Sequence, residues 1–183
     1  MKTFASTLLL LLLVGSALGQ GIVNFNNNVL PSPPDRLVRF IDGSPLVGTN
    51  FVAQLLYGND PNSLTPHTTT ARFRVATTTQ PGTWSGGTRT LTGVGGIGTT
   101  ICLQVRYWDS AFGATFDQAR AAGGAWGESS IFPYSQTLSS PPAPTDTQML
   151  NFQAGVICVP EPSCLLLLGV ALPFLLRRRS SRA

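Results

Sequence analysis

The residues able to do chemistry are few and scattered. The single histidine, His67, sits in Thr65-Pro66-His67-Thr68-Thr69-Thr70, and nothing adjacent in sequence supplies the Cys or carboxylate partners that a zinc site would need. No Gly-x-Ser-x-Gly elbow marks a nucleophilic serine, so His67 is expected as an exposed loop residue rather than the base of a triad. Glycoside hydrolysis requires two carboxylates, and Asp109, Asp117 and Glu128 flank one segment. Their simpler roles are a strand-end turn, a favourable charge in a first helical turn and a solvated loop residue. Gly58-Asn59-Asp60-Pro61-Asn62-Ser63 lacks the carboxylate density of a calcium loop and reads as a turn. No catalytic residue, metal or cofactor is therefore expected. Of the three tryptophans, Trp84, Trp108 and Trp126, the last two are the candidates for stacking on sugar rings. Trp108 alternates with Ile101, Leu103, Val105 and Tyr107, so it falls on the opposite strand face and is expected to be exposed. In an oxidising compartment a disulfide between Cys102 and Cys158 is permitted, but their strand parity argues against it: Cys158 falls on an apolar face and Cys102 on a polar one.

The elements that must position these residues read as all-β. Between the hydrophobic ends the chain is rich in Gly, Thr, Pro and Asn, with short apolar runs separated by turn residues. Strands are expected at 22–26, 37–41, 51–57, 71–76, 88–91, 100–108, 130–134 and 150–158, with Gly43-Ser44-Pro45, Gly86-Gly87 and Gly95-Gly96 as turns. One short helix interrupts them. Thr115-Phe116-Asp117-Gln118 has the form of a capping box, Ala119 to Ala122 follow, and Gly123-Gly124 closes it. A two-turn helix does not hold itself, so it is expected to dock on the sheet edge through Phe116 and Ala119. The Pro-rich stretches 31–34 and 141–144 are the stiffest linkers, the second expected to cross between sheets. The expected architecture is a single β-sandwich-like domain with one short helix, spanning residues 20–158.

The 183-residue chain carries a formal net charge of +4 with 43% hydrophobic residues, but both features belong to its ends. Lys2, Arg177, Arg178, Arg179 and Arg182 lie there, whereas residues 20–159 hold seven arginines, no lysine and seven acidic residues. That balance gives no electrostatic footprint for nucleic acid. Residues 1–19 begin with a cationic Lys2, continue through an apolar stretch and close on Ala17-Leu18-Gly19, the form of a signal peptide cleaved between Gly19 and Gln20. The Sec translocon and signal peptidase are the partners this implies. At the other end, Pro160-Glu161-Pro162-Ser163 precedes an apolar run over 164–176 that includes Cys164, Leu165, Leu168, Leu172 and Leu176. The run stops at Arg177-Arg178-Arg179. Arginines placed directly after an apolar run stay on the cytoplasmic side and leave the preceding domain outside. As a helix the run would be about 20 Å long, short of a hydrocarbon core of about 30 Å, which suits a temporary hold.

This ordered tail, Pro160-Glu161-Pro162, a short hydrophobic segment and a terminal arginine cluster behind an N-terminal signal peptide, resembles the PEP-CTERM sorting domain of Gram-negative bacteria. The resemblance covers residues 159–183 and implies recognition by exosortase, a membrane cysteine protease that cuts near the motif. It implies a protein held transiently in the inner membrane with its body in the periplasm, then delivered to the cell surface or the extracellular matrix. Tyr107-Trp108-Asp109-Ser110, the capped helix, the stretch from Gly123 to Phe132 and the Pro-rich linker are similar to a recurrent group of small exported proteins with such tails. That likeness supplies no activity. The expected function is that of a non-enzymatic exported surface or matrix protein, the alternative being an exopolysaccharide-binding module, with a hydrolase last.

Overall fold

The computed structural model describes residues 21–28, 36–95, 98–135 and 148–159. The signal peptide, both Pro-rich linkers and the entire sorting tail from Pro160 lie outside the described residues.

The described residues form nine strands and one helix in the order β1 (Gly21–Asn26), β2 (Arg39–Phe40), β3 (Phe51–Gly58), β4 (Thr65–Arg72), β5 (Ser85–Leu91), β6 (Thr100–Asp109), α1 (Phe116–Ala121), β7 (Trp126–Glu128), β8 (Phe132–Ser135) and β9 (Val156–Ile157). The fold is all-β with one short helix. β3 pairs antiparallel over its whole length with Cys102 to Asp109 of β6, and the two form the centre of a five-stranded sheet, with β4 beyond β3. β7 and β8 share the far side of β6: β7 pairs with residues Arg106 to Trp108, and β8 with Thr100 to Leu103. Between these two pairings the Ser129 hydroxyl accepts from the Val105 N–H at 2.9 Å, and the Ser129 N–H donates to the Val105 carbonyl at 2.8 Å. A side chain thus completes the ladder where the strand breaks. β1 and β5 form a second, antiparallel pair, and β2 and β9 a short parallel one.

Period-two alternation sends Ile101, Leu103, Val105 and Tyr107 to one face, where they meet Ala53, Leu55 and Tyr57 of β3 and Val23 and Phe25 of β1 in one core cluster. Trp84 lies at its centre, fully buried, with Phe25 at 5.4 Å, Phe73 at 5.4 Å and Phe152 at 5.5 Å between ring centroids. Two polar side chains tie segments distant in sequence together. The Tyr134 hydroxyl of β8 donates to the Ile22 carbonyl of β1 at 2.5 Å. Asn27, 3% exposed, donates to the carbonyls of Arg36 (2.7 Å) and Gly82 (3.0 Å) and accepts from the Trp84 N–H at 2.8 Å.

Four expectations change. β4 covers Thr65–Arg72 rather than 71–76, so His67 is a strand residue and not a loop residue. Pro66 is tolerated there because β4 lies at the end of the sheet order, where a missing donor breaks no ladder. Gly86-Gly87 is not a turn but a bulge inside β5: the register slips between Asn24 and Asn26, Gly87 adopts φ 69°, and a Cβ on Gly86 would stand 2.6 Å from the Phe25 ring. The segment 150–158 is a strand only at Val156–Ile157, because the chain first turns through Met149 to Phe152. That turn shifts the alternation, burying Ile157 and leaving Val156 and Cys158 exposed. Finally, Trp126–Glu128 is a strand, β7, where no strand was expected.

Candidate functional site

The capped helix forms as its sequence requires. The Thr115 hydroxyl accepts from the Gln118 N–H at 3.3 Å, Gln118 Oε1 accepts from the Thr115 N–H at 3.2 Å, and Gly123 closes the helix at φ 74°. Phe116 and Ala119 are its buried residues, and they pack over the face of β6 and of β7, the last strand in the sheet order. This placement decides the fate of both candidate sugar-stacking tryptophans. Trp108 does lie on the face opposite Ile101, yet it is 1% exposed, because the helix covers that end of the face. It packs with Val52, Phe116 and Ala119 in a second cluster, and its indole N–H donates to the Gly113 carbonyl at 3.0 Å. The expectation of an exposed Trp108 is overturned. Trp126, directly across from Trp108 in the ladder, is half-buried, with Phe116 edge-on at 5.7 Å and the Arg120 guanidinium 4.7 Å from its ring centroid. A cation already occupies the face a sugar would use.

The disulfide is not formed. Cys102 pairs across from Gly58 and Pro133, whereas Cys158 bridges to Trp126, whose neighbour on β6 is Trp108. The six residues from 102 to 108 place the two thiols about 20 Å apart along the sheet, far beyond the roughly 7 Å limit between bridged Cα atoms. Both are free.

The three carboxylates have different settings. Asp109 Oδ1 accepts from the Ala111 N–H at 2.9 Å in the expected strand-end turn, and Asp117 is exposed in the first turn of α1. Glu128 belongs to β7 rather than to a loop, and its carboxylate is 3.2 Å from Arg106 Nε. Alternation places Asp109 and Arg106 on opposite faces of β6, so Glu128 and Asp109 point apart.

His67 lies where β4 bulges: Gln54 pairs with Thr70 and Leu56 with Pro66, which leaves three residues opposite one. The bulge brings the imidazole towards Tyr57, with ring centroids 6.3 Å apart, and towards Arg89 of β5. Its Nδ1 accepts from the Thr69 N–H at 3.2 Å, and the Thr69 hydroxyl is 3.0 Å from the same nitrogen. Burial, with the Arg89 charge second, holds its pKa below the ordinary value. Among the described residues no three His, Cys, Asp or Glu side chains gather as a metal site would require, and no helix is long and apolar enough to cross a membrane.

One feature that the sequence read as a plain turn acquires a shape. The 58–63 loop and the residues after β5 wall an open, polar cleft of about 340 Å³ whose lining includes Tyr57, Asn59, Asp60, Thr65 and Thr92. The sequence signal for it was the density of Asn, Asp, Ser and Thr in the loop, but the second wall comes from Thr92 to Val94 after β5, about thirty residues on, and no local pattern announces that. No family model, no curated protein and no solved structure matches this chain.

Proposed function

We propose that the chain is an exported, non-catalytic surface or matrix protein: a β-sandwich body delivered by the Sec pathway, held by its C-terminal segment and processed by exosortase. The observation that carries this reading is the ordered tail, Pro160-Glu161-Pro162, then the apolar run over 164–176, then Arg177-Arg178-Arg179. The described core supports it by ending before the tail starts. That core runs from Val23 to Ile157, and the last strand residues are fixed by backbone bonds between Cys158 and Trp126, two residues before Pro160. The sandwich reading rests on the aromatic contacts that join the β1–β5 pair to the five-stranded sheet through Trp84, Phe73 and Tyr107.

Intact-mass analysis of the protein recovered from the surface or medium of an exosortase-bearing host tests the reading. The expected product has lost mass at both ends, beginning at Gln20 and ending near Pro162, while a chain replacing Pro160-Glu161-Pro162 by alanines accumulates unprocessed. A surface protein that retains Arg177 to Arg179 overturns the processing step.

A further inference from the structure

The 340 Å³ cleft lies at the end of the sheet where β3 turns into β4. Its walls are held by the chain itself. Asp60 Oδ1 accepts from the Asn62 N–H at 2.9 Å and from Asn62 Nδ2 at 3.2 Å, and the Ser63 N–H donates to the Asp60 carbonyl at 3.1 Å. Across the cleft, Asn59 Oδ1 accepts from the Gly95 N–H at 3.1 Å, tying this loop to the one after β5. The site is thus formed before any ligand arrives, which lowers the cost of binding.

The polar capacity left over defines the ligand. The Tyr57 and Thr92 hydroxyls are 3.4 Å apart, too long for a strong bond between them, and each keeps donor and acceptor capacity. The second carboxylate oxygen of Asp60 and the hydroxyls of Ser63 and Thr65 have no hydrogen-bond partner among the described residues. Among the described residues no Lys, Arg or His lines the cleft, so an anion finds no counter-charge there. A single carboxylate is too few for a divalent cation. The lining is too polar to reward an apolar guest.

We infer that this cleft binds a neutral polyhydroxylated ligand, a terminal or side-chain hexose of a glycan, with vicinal hydroxyls donating to Asp60 and exchanging hydrogen bonds with Tyr57 and Thr92. Its volume is at the lower end of small-molecule sites, roughly 300 to 1,000 Å³, which suits one or two sugar rings rather than a long chain segment. The inference goes beyond the sorting reading and does not depend on it.

The test uses the full chain, ¹⁵N-labelled and held in a detergent without a sugar head group. It is titrated separately with glucose, galactose, mannose, glucuronate and calcium chloride. The expected result is saturable shifts from at least one neutral hexose, confined to residues 57–65 and 92–95, with no saturation by glucuronate. Asp60→Asn keeps the Oδ1 acceptor that Asn62 needs but removes the charge, and is expected to weaken binding about tenfold, the loss of one charge-assisted hydrogen bond. Thr92→Val gives a second reading at the opposite wall, with a several-fold loss expected. No response to any neutral hexose at about 100 mM, far above the millimolar dissociation constants of weak sites, overturns the inference. A response to calcium alone, equal binding of glucuronate, or full affinity in both variants overturns it as well. Because the shifts are read on the unprocessed chain, failure here leaves the mass test of sorting intact.

Discussion

Replacing Trp108 by alanine separates two physical pictures of the same residue. An indole standing free on a sheet face contributes almost nothing to stability, whereas the observed one is 1% exposed, edge-on to Phe116 at 6.1 Å and bonded to the Gly113 carbonyl. Truncating a buried aromatic costs about 3 to 5 kcal/mol, and the spread reflects how far the surroundings collapse into the space. Here the lid is a six-residue helix whose own Phe116 and Ala119 pack on Val52 and Trp108, so it can settle, which favours the lower half of that range. The lost indole bond adds roughly 1 kcal/mol, for a total of about 4 kcal/mol. With a urea m-value of about 2 kcal/mol per molar, the midpoint is expected to fall by roughly 2 M. Circular dichroism is the suitable probe, because the substitution removes a fluorophore. Trp108→Phe refills most of the volume but not the bond and is expected to lose about 1 to 2 kcal/mol. A loss below about 1 kcal/mol for Trp108→Ala, the range of an unpacked surface site, would refute the buried cluster.

Asn27→Ala removes three buried hydrogen bonds at once and is expected to destabilise by about 2 to 4 kcal/mol in the same denaturation assay. His67 has a folded pKa below its unfolded one, so in that window the unfolded state binds more protons. Its contribution to stability is full above about pH 6.5 and is lost as pH falls through the lower folded value. Denaturation midpoints measured between pH 7.5 and 5 are expected to decline in the parent and less steeply in His67→Gln; equal slopes would remove His67 as the cause. Alkylation of Cys102 and Cys158 in denaturant is expected to proceed equally with and without reductant, and protection of both without reductant would contradict the register of β6, β7 and β9.

The parts of the fold legible in the sequence were those governed by local pattern. The alternation from Ile101 to Tyr107 gave β6 its inward face, and the Thr115 to Gln118 box gave the helix both its start and its buried residues. What escaped depended on distant partners. Trp108 has the right face but the wrong exposure, because parity says which side a residue faces and not what arrives to cover it. A helix so short announces its cap and not its docking site. Gly86-Gly87 has turn chemistry, yet Phe25 of another strand needs the space a Cβ would take. Asn27 and Arg36 carry no local signal at all; the Arg36 guanidinium bonds to the Met149 and Leu150 carbonyls, more than a hundred residues away.

The placement of these features along β6 bears on how the two proposals combine. Gly58 and Cys102 mark one end of the central strand pair, beside the cleft, while Val52, Trp108, Trp126 and Cys158 are aligned across the other. Six residues of strand separate the ends, about 20 Å. Val159, the last described residue, stands beside Cys158 at the helix-covered end, so under the proposed attachment through the tail the cleft lies at the opposite end of the central strand pair. Trimming the tail removes no residue that lines the cleft. Retention and glycan capture are therefore separable: loss of the Pro160-Glu161-Pro162 motif should change where the protein resides without changing its hexose affinity, and Asp60→Asn should do the reverse.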